Sequence, residues 1–290
     1  MLTRRTFLSV TAASLAAQML TAQQLPVAGQ TNVQFSVMMW TLKKQGTFEE
    51  NLERVAQAGY PHVELTGEFK QWSEDDWRRI LARMKALNLS VDTTSGASGS
   101  FADPAGADAF LTGLKNFIPF AKRLECKRII LLSGKRIEGT DPKIQHAASI
   151  EALKRAADLL SAADIVAVIE PIDRIENPPI YLDGVTEAFE IADSVGSPNV
   201  KVLYDVYHEQ REFGNLIEKF EKNIAQVGLI HIADVPGRHE PGTGEINYPN
   251  IYRKLAQLKY KGVIAMEFYP TGDIVGTLRR AREEAQSSLS

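Results

Sequence analysis

From Asn32 onward the chain alternates short apolar or β-branched runs with longer stretches whose apolar residues recur at helical spacing. A brief run of that kind marks a strand buried on both faces, and a recurrence every three or four residues marks an amphipathic helix. The pattern predicts strands over residues 33–39, 62–65, 90–93, 128–132, 166–170, 200–205, 229–233 and 263–267. Between them it predicts helices over 48–57, 74–87, 107–124, 150–162, 185–195, 216–225, 251–258 and 277–284. The helix ends agree: Ala58-Gly59 closes the first helix, Asn88 closes the second, and Ser73 before Glu74-Asp75-Asp76 reads as an N-cap with acids in the first turn. Eight strands, each followed by a helix, predict an α/β fold, a single (β/α)8 barrel over residues 29–290 with no second domain. Such a barrel carries its reactive groups at the C-terminal ends of strands and in the loops that follow.

Residues 1–28 stand outside this alternation. Thr3-Arg4-Arg5-Thr6-Phe7-Leu8 leads into a small apolar run, residues 9–17, too short to span a bilayer. The segment reads as a twin-arginine export signal, cleaved between positions 23 and 30. It implies a passage through the twin-arginine machinery, a periplasmic or secreted protein, and no stable membrane anchor after processing. That route carries folded cargo, which suits a protein that takes up a metal before export.

The remaining composition narrows the partners. With 44% hydrophobic and 24% charged residues the chain is neither disordered nor collagenous, and its body does not read as membrane-spanning. Its 33 basic and 36 acidic residues are spread along the chain for a net charge of −3, so there is no electrostatic footprint for nucleic acid. A single cysteine, Cys126, excludes an intrachain disulfide and a Cys-rich zinc site. Five histidines leave room for one imidazole-containing metal site rather than a zinc cluster. The oligomeric state is left open.

The chemistry sits where apolar runs end. Ala-Val-Ile-Glu170, Val-Leu-Tyr-Asp205, Leu-Ile-His231-Ile-Ala-Asp234 and Ile-Ala-Met-Glu267 bring carboxylates and an imidazole to the ends of the last four predicted strands. One such carboxylate reads as a helix cap or half of a salt bridge; four such ends on adjacent strands point to a hard divalent cation, Mg2+ or Mn2+ before zinc.

The blocks Asp205-Val-Tyr-His208-Glu-Gln210, His231-Ile-Ala-Asp-Val-Pro-Gly-Arg238-His239-Glu240-Pro241, Gly244-Glu245-Ile-Asn247-Tyr248-Pro249 and Glu267-Phe-Tyr-Pro270 resemble the hydroxypyruvate isomerase family of xylose isomerase-like TIM barrels. The resemblance is densest over residues 169–270 and extends more loosely over the rest of the mature chain. It implies a metal held by Glu170, Asp205, His231 and Glu267, with Glu170 and Glu267 also serving as the proton-transfer pair. It further implies isomerisation of a small hydroxy-oxo acid or ketose through an enediolate. The spacing of Asp205 to His208 is similar to that of keto-sugar epimerases, in which the histidine contacts substrate, and Glu176 lies where those enzymes carry a substrate-binding glutamate. At His231 the chain departs from the best-known hydroxypyruvate isomerases, which have glutamine there, and agrees with the epimerases.

Arg238 is a candidate for binding a substrate carboxylate or hydroxyl bidentately. Trp40 either walls the pocket or caps the barrel core. His62 begins a strand and His146 precedes a predicted helix, so both read as structural; His239 is open between contact and solvation. Gly244 to Tyr248 reads as a loop-shaping segment. A keto-sugar 3-epimerase or related dehydratase on the same barrel is the alternative enzyme, and an exported, non-catalytic carbohydrate-binding barrel the alternative from another class. A three-zinc nuclease would need more histidines and a basic groove.

Overall fold

A computed structural model describes residues 33–290; Arg4, Arg5 and the expected export signal with its cleavage region lie outside the described residues. Eight strands form the inner ring: β1 (Gln34–Met38), β2 (His62–Leu65), β3 (Ser90–Ser95), β4 (Arg128–Leu132), β5 (Val166–Glu170), β6 (Val200–Asp205), β7 (Val227–Ile232) and β8 (Val263–Met266). Each pairs in parallel with its neighbour in chain order, and β8 closes on β1. Around them lie α1 (Phe48–Gln57), α2 (Glu74–Ala86), α3 (Ala107–Arg123), α4 (Pro142–Ala163), α5 (Val185–Val195), α6 (Val206–Glu212), α7 (Leu216–Asn223), α8 (Tyr248–Gln257) and α9 (Ile274–Leu289). Among the described residues no helix is long and apolar enough to cross a membrane.

Local chemistry sets the helix starts. Thr47 and Glu50, and likewise Ser73 and Asp76, form reciprocal capping boxes that satisfy otherwise orphaned N–H groups of α1 and α2. Asp164 and Gly196 end α4 and α5 in the left-handed region. Alternate residues of each strand point inward or outward. The outward set packs with the helices into the main core, while Met38, Ile130, Val168, Leu203, Leu229, Val263 and Ala265 pack together as a separate buried cluster from six of the strands.

The structure corrects several bounds. α4 starts at Pro142, capped by the Asp141 side chain, so His146 lies within a helix rather than before one. β1 stops at Met38 and passes into a 3-10 turn, Met39–Leu42, which carries Trp40. β3 runs on to Ser95, Glu267 falls just past the last residue of β8, and α9 is longer at both ends than its periodicity predicts. α6 was not expected at all.

Candidate active site

Four strands deliver the central residues. Glu170 and Asp205 are the last residues of β5 and β6, His231 is the penultimate residue of β7, and Glu267 follows β8 directly. Strand register places Asp205 opposite His231. All four side chains are buried, and each offers one donor atom to a group whose members lie within 4.8 Å of one another. His231 Nδ1 is 2.7 Å from Glu267 Oε2, 3.8 Å from Glu170 Oε1 and 3.9 Å from Asp205 Oδ2. Asp205 Oδ2, His231 Nδ1 and Glu267 Oε2 are buried without a hydrogen-bond partner, the short approach to Glu267 lacking hydrogen-bond geometry. Unpaired buried polar atoms are costly, and a cation among three carboxylate oxygens and one imidazole nitrogen would satisfy them together. The sequence-derived ligand set therefore fits a divalent metal.

Charge within the group is uneven. Burial, then the Glu267 charge, pushes Glu170 up to about 7. Burial also acts to raise Glu267, but Arg238 and then His231 outweigh it and hold that carboxyl well below the usual range. Burial acts to lower His231, and the charges of Glu267 and Glu64 reverse this and raise it.

Arg238 closes the group from the loop after β7. Its Nη2 is 2.7 Å from Glu267 Oε2 and 3.5 Å from Asp205 Oδ2, and its Nη1 donates to Glu176 Oε1 at 2.8 Å and Oε2 at 3.0 Å. The guanidinium carbon lies 4.8 Å from the Tyr207 ring centre and 5.3 Å from that of Trp40. Trp40 resolves toward the pocket: its Nε1 donates to Glu267 Oε1 at 3.0 Å. His208 is buried on α6, with Nδ1 2.6 Å from Asp173 Oδ2 and Nε2 3.5 Å from Asp205 Oδ2. Burial acts to lower His208, and Asp205 together with the Asp173 hydrogen bond raises it instead. Glu176 is the most exposed member, and it also meets Arg211 Nη1 at 3.3 Å. Asp173, Glu176 and His208 could themselves group around an ion, but Arg211 and Arg238 already supply the opposing charge there.

One carboxylate organises the loop that carries Arg238. Asp234 is fully buried and accepts from the backbone N–H groups of Val235, Gly242, Gly244 and Ile246. Gly244 is needed there, since a Cβ would sit 2.0 Å from the Val235 carbonyl oxygen. Arg238 itself adopts φ +55°, an uncommon left-handed conformation for a non-glycine residue.

The structure separates the other histidines from this group. His62 begins β2 and pairs with Ser90 Oγ at the N-terminal end of the barrel, and His146 pairs with Glu187. His239 Nδ1 lies 2.8 Å from the Tyr269 carbonyl oxygen. Sequence reasoning missed Asp173, Tyr207 and Arg211, and it left Glu64 without a role. Glu64 did give a signal, an acid inside the apolar run Val63-Glu64-Leu65, and its Oε2 is 2.9 Å from His231 Nε2.

Comparison with known proteins bears on this geometry. A family model described as xylose isomerase-like TIM barrel matches residues 52–289. Hydroxypyruvate isomerase of Escherichia coli (strain K12) is 32% identical over 243 residues, covering 82% of this chain and 94% of that protein. The 2-oxo-tetronate isomerase of Cupriavidus necator is 32% identical over 244 residues, covering 81% of this chain and 92% of that protein. A crystal structure described as AP endonuclease, family 2, from Brucella melitensis matches with a TM-score of 0.77 at 28% identity, covering 85% of this chain and 96% of that one. With matches of this length and identity, the chain belongs to the xylose isomerase-like TIM barrel family, within its hydroxypyruvate isomerase group.

Proposed function

We propose that this isomerase acts on a small hydroxy-oxo acid with the help of one divalent metal ion, moving a proton between adjacent carbons through an enediolate. The observation that carries this reading is the meeting of Glu170, Asp205, His231 and Glu267, three of them with unpartnered buried atoms, directly against Arg238. Relatives named hydroxypyruvate isomerase and 2-oxo-tetronate isomerase support the substrate class.

With Mg2+ or Mn2+ bound, the site gains a Lewis acid that polarises the substrate carbonyl and its neighbouring hydroxyl and stabilises enediolate charge. The protein's own groups do the rest. The Glu170 carboxylate has no hydrogen-bond partner among the described residues, which leaves an oxygen free to take the proton from the hydroxyl-bearing carbon. The glutamate pair returns a proton to the adjacent carbon, and the hydroxyl proton passes to the former carbonyl oxygen, so carbonyl and alcohol exchange places with no net redox change. Trp40 holds one oxygen of Glu267, which fixes the direction of its carboxyl. Arg238 brings the positive charge that draws a carboxylate to this end of the site, its Nη1 held by Glu176 and its Nη2 turned to Glu267 and Asp205, and the Tyr207 and Trp40 rings lie to its sides. His208 and Glu176 complete the substrate end by steadying Arg238.

His231 is the observation that favours a second reading, a keto-sugar 3-epimerase, because that imidazole stands where the resemblance to the isomerases implies glutamine. A nuclease is disfavoured: the ligand group holds a single imidazole, and His208 is already paired with Asp173. Turnover in heavy water tests the assignment. Deuterium in a product of altered connectivity is expected, and treatment with a chelator should abolish turnover. Label in a product that differs only in configuration favours the epimerase; turnover of hydroxy-oxo acids that persists without metal would overturn the proposal. Export belongs to the same proposal, supported by Arg4-Arg5 and the apolar run after them. Replacing both arginines with lysine should retain the protein in the cytoplasm, and continued export through that route would count against the signal.

A further inference from the structure

Glu64 is a buried acid that the proposed chemistry does not use. It sits on β2, which is separated from β7 by β1 and β8 in the barrel, yet its Oε2 lies 2.9 Å from His231 Nε2. Its other oxygen, Oε1, is buried and unpartnered, and Glu64 is not among the four donors that meet within 4.8 Å. A carboxylate so deeply enclosed is expensive to keep unless its partner depends on it.

The dependence follows from the two nitrogens of an imidazole. A metal takes the lone pair of one ring nitrogen and leaves the ring proton on the other, and Glu64 Oε2 stands where it can accept that proton from Nε2. Nδ1 then keeps its lone pair, and it is Nδ1 that faces Glu170, Asp205 and Glu267. Without a partner at Nε2 the neutral ring is free to take the other tautomer, which presents an N–H instead of a lone pair to the ligand group.

We propose that Glu64 is a positioning residue: through the contact of Glu64 Oε2 with His231 Nε2 it fixes both the tautomer and the orientation of His231, so that Nδ1 is the ligand nitrogen. The inference rests on the cation site described above. It assigns Glu64 no contact with substrate and no share in proton transfer. A carboxylate behind a ligating histidine raises the basicity of the ring and steadies its plane, and loss of such a partner lowers metal affinity about 10- to 100-fold.

The test uses the metal-free full barrel, its Glu64→Gln and Glu64→Leu variants, and Mn2+ alone as probe, with affinity read by calorimetry. Glu64→Leu is expected to bind Mn2+ about 10- to 100-fold more weakly. Glu64→Gln, whose amide oxygen still accepts from Nε2–H, retains most of the affinity. A second readout needs no variant: nitrogen-15 spectra of the histidine-labelled parent loaded with Mg2+ should show His231 protonated at Nε2 and bare at Nδ1. The opposite tautomer in the parent overturns the proposal even where Glu64→Leu fails to fold. Equal Mn2+ affinity in parent and Glu64→Leu overturns it as well, while leaving the cation site standing. A parent that binds no Mn2+ refutes the cation site itself, and this inference with it.

Discussion

Glu170 and Glu267 share one residue type and have opposite surroundings. Glu267 is held by the Trp40 indole N–H and lies against Arg238 and His231, whereas Glu170 has no hydrogen-bond partner among the described residues and is separated from His231 Nδ1 by 3.8 Å. Changing Glu170 to Gln therefore breaks no hydrogen bond and removes a buried like charge beside Glu267. Turnover of the Glu170→Gln variant is expected to fall about 100- to 10,000-fold, the range for loss of a general base. In the metal-free protein the same change should leave the melting temperature equal to or above that of the parent, because groups poised for chemistry are commonly strained in the resting fold. Retained turnover, or a melting temperature lowered by several degrees, would contradict these roles. Glu170, Asp205 and Glu267 were legible because each ends an apolar run, and His231 because it stands near the end of one that closes on Asp234. Glu64 was harder to interpret, since its acid lies inside the run and its partner comes 167 residues later in the chain.

The helices and strands show the same division between what periodicity carries and what it does not. Apolar patterning located all eight strands, because burial on both faces demands it. It located α4 only from Ile150 onward, since the first two turns bury Gln145 and Ser149 and expose Ile144. Gln145 is tolerated there because its amide bonds Ile137 N–H and the carbonyls of Ala102 and Lys135, contacts that only the assembled fold supplies. α6 escaped for a related reason: its seven residues follow directly on Asp205, a candidate ligand that doubles as the N-cap, and its buried face carries His208 and Glu209. The loop after β7 is a third element of this kind, held by a single side chain. Asp234→Asn weakens four backbone hydrogen bonds at once and turns an N–H2 toward donors, at a cost of about 1–3 kcal/mol per unsatisfied group. The variant should show faster hydrogen exchange at Gly242, Gly244 and Ile246 and a raised KM through a loosened Arg238, with kcat less affected. Exchange and KM indistinguishable from the parent would show that Asp234 does not organise the loop.

At the scale of the whole molecule, the barrel gathers Glu64, Glu170, Asp205 and Glu267 into one buried neighbourhood, and this sets how stability responds to metal and to pH. A ligand bound only by the native state, present at about 100 times its dissociation constant, adds about 2.7 kcal/mol. For a barrel of this size that corresponds to roughly 5–10 °C in melting temperature. The increment should depend on pH with a definite sign. In the metal-free fold Glu170 is raised to about 7 by burial and then by Glu267, and Glu64 is raised to about 7 by burial, against an ordinary value of 4.5 for both. Between 4.5 and about 7 the folded metal-free protein therefore binds more protons than the unfolded chain, and its stability falls as pH rises through that window. Metal replaces those protons with its own charge, so the loaded protein escapes the loss. Melting curves with Mn2+ and with chelator should lie close together near pH 5, separate progressively as pH rises through about 7, and go on separating above it, where the raised His231 gives up its proton in the metal-free fold. A gap that narrows with rising pH, or identical curves throughout, would mean that these carboxylates are neither strained in the metal-free fold nor relieved by a cation.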